Sequence, residues 1–360
     1  MSAWTVQQWP LREQPDELIA EVYDVTAALH EEAEPEDPRR ALADEIADVR
    51  TRPANEDGVV LVARDGAGQV AGLAWCTWEQ LEGWSHVLQV NIEVLPPQRR
   101  QGLGRLLLER SACIATERGR RLVMGRSRDN VPSGAGFCAA FGADRAMTAE
   151  ENRLDLQSVD RDLVTRWIAD GPVRAPGYRL EFVAGSTPPE LAERVAEVLN
   201  VMNTAPRENL DVSDVLITPE LIAEYEGAAE AAGRGHWAYY AVEEATGRFI
   251  GMTDVWFEQG TPDRVHVGDT AVEPAHRGRS LGKWLKAAIT RKILDDRPGT
   301  RWVITFNAGS NDAMLGINRK LGFRTTAVHT TWQIPTDRLR ARLAAGQASG
   351  GSWQEAGAGC

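Results

Sequence analysis

Two stretches of the chain carry basic residues and glycines at a spacing suited to holding an anion. Residues 96–107 read PPQRRQGLGRLL, and residues 274–285 read PAHRGRSLGKWL. Each follows a run with strand character and leads into apolar residues at helical spacing. In such a turn the first N–H groups of the helix lack partners. The helix dipole favours an anion at that same end. Arg277, Arg279 and Lys283 add positive charge, and Gly278 and Gly282 let a ligand approach the backbone. Phosphate or pyrophosphate is the natural guest. Two commoner phosphate motifs do not fit. A Walker loop needs four residues between its glycines and a Ser or Thr after the lysine, whereas only three residues lie between Gly278 and Gly282 and Trp284 follows Lys283. A dinucleotide fingerprint needs a third glycine that the first stretch lacks after Gly102 and Gly104.

The elements that must position these turns occur twice. The two glycine turns are offset by 178 residues. GQVAGLAW at 68 matches GRFIGMTD at 247, PDELIAEVYDVTAAL at 15 matches PPELAERVAEVLNVM at 188, and CAAFGA at 138 matches NRKLGF at 318. Four matches in one order at nearly one offset imply tandem copies of a domain, since the period is too long for a solenoid unit. Each copy opens with a helical segment, residues 15–50 and 188–232. Two strands follow, then a longer strand (HVLQVNIEVL; RVHVGDTAV), the glycine turn and an amphipathic helix. Leu103, Leu106, Leu107 and Ile114 line that helix in the first copy; Leu281, Leu285, Ile289 and Ile293 line it in the second. A strand, a short helix and a last strand (NRLDL; HTTWQI) complete each copy. The fold class is therefore α/β or α+β, with a mixed, mostly antiparallel sheet flanked by helices. The expected boundaries are 1–157 for the first domain, 158–177 for a connecting helix and linker, 178–343 for the second domain, and 344–360 for a Gly/Ala/Ser-rich tail expected to be disordered.

Composition narrows the function classes. The chain has 360 residues, 43% hydrophobic and 26% charged, with a formal net charge of −12, which argues against general nucleic-acid binding. Its four cysteines have no CxxC spacing and its histidines do not cluster, so no metal site is expected. No signal-peptide core and no run of about 18 apolar residues is found, so no membrane partner is expected and the expected location is cytoplasmic.

A third glycine motif does fit. The stretch Arg99-Arg100-Gln101-Gly102-Leu103-Gly104 resembles the pyrophosphate loop of the GCN5-related N-acetyltransferases, Arg/Gln-x-x-Gly-x-Gly/Ala. The second copy, Arg277-Gly278-Arg279-Ser280-Leu281-Gly282, is similar, with Ser280 in place of a glycine. VLPPQRR and VEPAHRG resemble the family's entry into the loop, and residues 305–323 (TFNAGSNDAMLGINRKLGF) resemble its following strand and helix. The resemblance covers residues 3–157 and 178–335, and it implies acetyl-CoA or another acyl-CoA as donor, without a metal. It implies that the loop backbone, with Lys283 beside it, holds the pyrophosphate, and that Val272, or Val94 in the first copy, pairs with the pantetheine arm as a strand would. It places Asn307 and Asn311 at the donor.

Making an amide requires a deprotonated amine, a polarised thioester carbonyl and a protonated thiolate. The family's usual tyrosine acid is absent: Asn318 stands at that position in the second copy and Cys138 in the first. Asn318 is left as a candidate to hydrogen-bond the leaving sulfur. Asp269, three residues before Val272, is the candidate base or amine-orienting group. Its counterpart is Asn91, with Glu93 nearby. The resemblance places the acceptor near the loop after the first helix. In the second copy that loop, residues 202–214, carries Asn203, Glu208, Asp211 and Asp214. In the first it carries Glu31, Glu32, Glu34, Glu36 and Asp37. Acidic lips suit a cationic amine. Trp75, Trp78, Trp84, Trp256 and Trp284 either wall an acceptor pocket or belong to the core. The second copy keeps the more intact segment after the loop, so it is the expected catalyst, and Ser280 is expected to serve as a small residue whose hydroxyl can cap the helix or touch an anion. The expected reaction is transfer of an acetyl group to a primary amine of a small molecule: an antibiotic-like metabolite, a polyamine or an amino-sugar conjugate. The alternatives are a peptide or protein N-acetyltransferase and a non-catalytic acyl-CoA sensor. The protein is expected to act as a monomer or weak homodimer.

Overall fold

Leu281, Leu285, Ile289 and Ile293 recur every fourth residue, so in a helix they fall on one face. In a computed structural model of the protein, which describes residues 4–35 and 37–348, that face is no more than 2% exposed. The helix is α8, Leu281–Asp296. Its counterpart in the first copy is α3, Leu103–Glu117, which buries Leu103, Leu107 and Ile114. Each fully buried aliphatic side chain contributes about 1.5–3 kcal/mol.

The chain divides into two compact units. Among the described residues the first comprises 4–148, 209–213 and 329–348, and the second comprises 149–208 and 214–328.

In the first unit β1 (Thr5–Pro10), β2 (Glu56–Arg64), β3 (Val70–Glu79) and β4 (Val87–Val94) pair antiparallel in that order. Strand β5 (Leu122–Arg128) then pairs parallel with β4. Helices α1 (Asp16–Ala33) and α2 (Leu42–Arg50) precede β2, and α4 (Pro132–Ala140) follows β5. One sheet face packs on α3 through Leu61, Leu88 and Leu107; the other packs on α1 through Leu18, Val22 and Val62.

The second unit repeats this plan. Strands β7 (Tyr178–Ala184), β8 (Arg234–Glu243), β9 (Phe249–Glu258) and β10 (Arg264–Val272) pair antiparallel, and β11 (Trp302–Ala308) pairs parallel with β10. Helices α6 (Ala192–Leu199) and α7 (Pro219–Ala231) lie between β7 and β8, and α9 (Asp312–Leu321) follows β11. The expected connecting segment contains α5 (Arg161–Arg174). It is not a loose linker. Gly171 lies so close to Trp284 of α8 that a Cβ there would sit 2.2 Å from the indole.

One expectation is corrected. The two copies do not keep their own last strands. The end of the first copy, within β6 (Asp144–Asp155), pairs with β11 in the second unit, Leu154 opposite Val303. The end of the second copy, within β12 (Arg324–Pro335), pairs with β5 in the first unit, Thr331 opposite Arg126. Helix α10 (Thr336–Ala348) then places Leu339 and Leu343 in the first unit's core. The first five residues of the expected tail are thus the end of α10; residues 349–360 lie outside the described residues, as does Glu36. Among the described residues no helix is long and apolar enough to cross a membrane.

Candidate functional site

Both glycine turns require left-handed backbone at two positions. In the first these are Arg100 (φ 61°) and Gly102 (φ 95°); in the second they are Gly278 (φ 81°) and Ser280 (φ 64°). The glycine and the non-glycine exchange places between copies, while the backbone path is kept. A non-glycine residue in this region costs about 1–2 kcal/mol. Such outliers concentrate where a ligand is held. Ser280 therefore occupies a position set by φ. Its hydroxyl makes no capping hydrogen bond, which corrects the expected capping role. Ser280→Gly is expected to raise unfolding stability by about 1 kcal/mol in urea titrations, because glycine adopts this φ without strain.

The first arginine of each turn closes the loop. Arg277 Nε donates to Val272 O at 2.9 Å, and Arg99 Nε donates to Val94 O at 2.9 Å. Arg277 also donates to Thr204 Oγ1 at 3.0 Å. Arg99 grips both carboxylate oxygens of Glu32 at 2.7 and 2.5 Å. Gln101 Nε2 donates to Pro97 O at 2.8 Å. Arg279 reaches the Tyr178 hydroxyl at 3.4 Å, and Lys283 lies 5.8 Å from the Trp167 ring. The last glycine of each motif packs helices together: a Cβ on Gly104 would meet Phe137 at 3.1 Å, and one on Gly282 would meet Ile317 at 3.2 Å.

Behind each loop two parallel strands part. Strands β4 and β5 are in register only from Val87↔Leu122 to Gln89↔Met124. Strands β10 and β11 are in register only from Arg264↔Trp302 to His266↔Ile304. The ends of β4 and β10, with Val94 and Val272, keep their antiparallel neighbours but lose the parallel one. A wedge opens, and its strand edge can hydrogen-bond an amide-bearing chain as a further strand would.

In the first unit this wedge is a cavity of about 1150 Å³. It runs from Arg99, Arg100, Gly102 and Gly104 to Glu93 and on to Trp332. Oxygen Oε2 of Glu93 is buried and has no hydrogen-bond partner. Burial pushes the Glu93 carboxyl up to about 7; the Trp75 hydrogen bond opposes this and the Glu45 charge adds to it. A carboxyl tuned there can take a proton near neutral pH. Arg126 also lines the cavity and is exposed. The repeat offset points to Asn91, which is exposed, with Glu93 two residues further on.

The second unit differs at the corresponding strand. A register shift falls between Val267 and Thr270, where β10 bulges against β9. Asp269 lies in that bulge, and its N–H donates to Asp254 Oδ1 at 2.5 Å. Burial and then the Asp254 charge push its carboxyl up to about 7. Asp254 Oδ2 also accepts from Trp256 Nε1 at 2.8 Å and from His236 Nε2 at 3.2 Å. Burial alone would lower the His236 pKa, but Asp254, the Gly185 carbonyl and Glu226 outweigh it and hold His236 above its ordinary value. Asn318 is fully buried and donates to Asn307 Oδ1 at 2.8 Å, so these two predicted residues do meet. Asn311 instead caps α9, accepting from Met314 N at 3.3 Å. Leu103 and Leu281 are core residues, each 2% exposed or less.

Each predicted acceptor residue is engaged by a partner of its own. Asn203 pins its own loop, accepting from Arg207 Nη2 at 2.8 Å and donating to Val215 O at 2.9 Å. Asp214 is paired with Arg207 at 2.8 Å. Glu208 accepts from Ser310 Oγ at 3.3 Å. Asp211 belongs to the first unit, where Arg121 lies 3.3 Å from its carboxylate and His86 Nε2 lies 2.8 Å from its carbonyl. Two carboxylates of the first copy's acidic lip are likewise paired: Glu32 is held by Arg99 and Glu34 by Arg128. The Arg99 hydrogen bond keeps Glu32 below the ordinary carboxylate range. Trp78 and Trp284 are core residues, and none of the five tryptophans considered lines the cavity; Trp332 does.

A turn that gathers amides, an open strand edge and a buried carboxylate together can hold a phosphorylated thioester and deprotonate an amine. The model of the acetyltransferase (GNAT) family matches residues 19–142 and again 202–323. The chain belongs to this family, as two tandem domains. It is similar to a tandem GNAT protein from the clavulanic acid biosynthesis pathway, solved without AcCoA, with 27% identity, a TM-score of 0.73, and coverage of 92% of this chain and 99% of that one. A GCN5-related N-acetyltransferase from Sphaerobacter thermophilus shares the fold at 15% identity and TM-score 0.65, covering 92% and 96%. So does the glucosamine N-acetyltransferase region of a fungal multi-domain β-N-acetylglucosaminidase, at 13% identity and TM-score 0.62, covering 93% and 38%. No curated protein sequence matches.

Proposed function

We propose that this protein transfers an acyl group from acetyl-CoA or a related acyl-CoA to a primary amine of a small molecule, in the cytoplasm, and that the transfer runs in the first unit. One observation carries the choice of unit: a single cavity joins the left-handed turn at Arg100 and Gly102 to Glu93, whose buried Oε2 has no hydrogen-bond partner. This departs from the ranking by sequence, in which the second copy is the expected catalyst.

In this reading the turn from Arg99 to Gly104 holds the pyrophosphate, and the free edge of β4 near Val94 pairs with the pantetheine arm. Glu93 takes the proton from the acceptor ammonium, so that the neutral amine attacks the thioester carbonyl. The C–N bond forms, the C–S bond breaks, and the sulfur leaves as a thiolate that must gain a proton. Cys138 keeps its own proton, since burial pushes its thiol up to about 11. Water then relays to that thiolate the second proton, which the nitrogen loses as the amide forms. With Glu32 and Glu34 already paired to arginines, a polyamine finds little unspent acidity at the rim. An acceptor with a single amine suits the site better, and the exposed Arg126 favours one that also carries an anionic group.

A second reading puts the chemistry in the second unit, with Asp269 as base, and is favoured by that carboxyl's rise to about 7. The donor would then lie on the turn from Arg277 to Gly282. The test is thiol release from acetyl-CoA with a panel of small amines, amino acids and short peptides. Turnover with small amines is the expected result. Turnover with peptides alone would replace the acceptor class. Donor binding without any turnover would turn the reading into a sensor.

A further inference from the structure

The cavity of the first unit does not end where an acetyl group would. Past Gly104 and Phe137 it continues over Leu108, Val123, Ile334 and Leu339. These last four are apolar and at most 7% exposed, and Leu339 comes from α10, which packs on α3. An acetyl group offers one methyl to such a chamber. The corresponding place in the second unit is filled. The counterpart of Ala143 at the repeat offset is Phe323, and the counterpart of Leu108 is Lys286. The Phe323 ring is buried, and Lys286 Nζ lies 5.8 Å from it. Where the second copy places an aromatic ring and an ammonium group, the first leaves an alanine, a leucine and a lined space.

We propose that the first unit selects an acyl-CoA whose acyl chain is straight, apolar and several carbons longer than acetyl, with Ala143 setting the depth. This rests on the acyl-CoA reading of the same site. The chain would run from the thioester beside Glu93 along Leu108 and Val123 towards Leu339. Each methylene buried there would tighten binding about fourfold. Ala143 lines the cavity and makes room; it takes no part in the chemistry.

The experiment is calorimetric titration of the full chain with free CoA, acetyl-CoA and hexanoyl-CoA, in the natural protein and in Ala143→Phe. Hexanoyl-CoA is expected to bind at least about tenfold more tightly than acetyl-CoA. In Ala143→Phe that advantage should disappear while the affinity for free CoA stays within about twofold, which also shows that the variant is folded. Ala143→Leu, a smaller intrusion, should give an intermediate loss. Equal affinity of the natural protein for acetyl- and hexanoyl-CoA overturns the proposal and leaves the acyl-CoA reading intact. An advantage for hexanoyl-CoA that survives Ala143→Phe overturns the placement of the chain. If free CoA and both thioesters fail to bind, the acyl-CoA reading falls, and this proposal with it.

Discussion

Glu93→Gln should lower kcat/KM for amine acylation by at least about a hundredfold, the scale of a lost general base. Asp269→Asn should leave it within about threefold. Glutamine matches glutamate in size and keeps a polar group in the cavity, so the loss would come from chemistry and not from a void. The pH profile adds an independent readout. With its carboxyl near 7, Glu93 is protonated and inactive as a base below that value. The rate should therefore climb as pH rises through about 7 and level off above it, and the variant should lack this limb. Stability should move the other way. A folded carboxyl held above its unfolded value binds extra protons between the two values, so folding weakens as pH rises through that window. Urea titrations at pH 5 and pH 8 should show a smaller loss of stability for Glu93→Gln than for the natural protein. If Asp269→Asn abolishes turnover and Glu93→Gln does not, the reaction belongs to the second unit.

Gly102→Val should weaken acetyl-CoA binding by at least about tenfold. At φ 95° a β-branched residue is a genuine outlier, so the turn must change path. A changed path scatters the N–H groups that the turn gathers at the start of α3. The parallel substitution Ser280→Val meets the same backbone demand in the second unit. It should cost stability there while leaving donor affinity in the first unit within about twofold. Paired calorimetric titrations of the two variants read this contrast, and equal losses in both would place donor binding in both turns.

Much of the fold is legible from residue spacing. The fourfold apolar recurrence of Leu281, Leu285, Ile289 and Ile293 gives α8 and its buried face, and the offset of 178 residues gives the duplication. The exchange of last strands is not legible. NRLDL and HTTWQI read alike as strand segments, and nothing local distinguishes the β5 edge from the β11 edge. Pairing of that kind is decided by long-range packing. Charge pattern misleads in the same way. Asp211, Asp214, Glu32 and Glu34 look like acidic lips for a cation until Arg121, Arg207, Arg99 and Arg128 are found against them. The arginines against Glu32, Glu34 and Asp211 lie 67, 94 and 90 residues away, too far to be matched to them from spacing alone. Ser280 shows the opposite case. One sequence gives the substitution, but only the φ values of Arg100, Gly102, Gly278 and Ser280 show that both turns demand one backbone. Glu93 lies two residues from Asn91, the position that the repeat offset points to, and on a strand residues two apart share a face. Which of them enters the wedge depends on where β4 leaves β5.

The most direct measurement is a crystal structure of the full chain soaked with acetyl-CoA. The account predicts the pyrophosphate on the turn from Arg99 to Gly104, the pantetheine arm along β4 past Gln89, and the thioester within reach of Glu93. Donor bound only between β10 and β11, on the turn from Arg277 to Gly282, would contradict it.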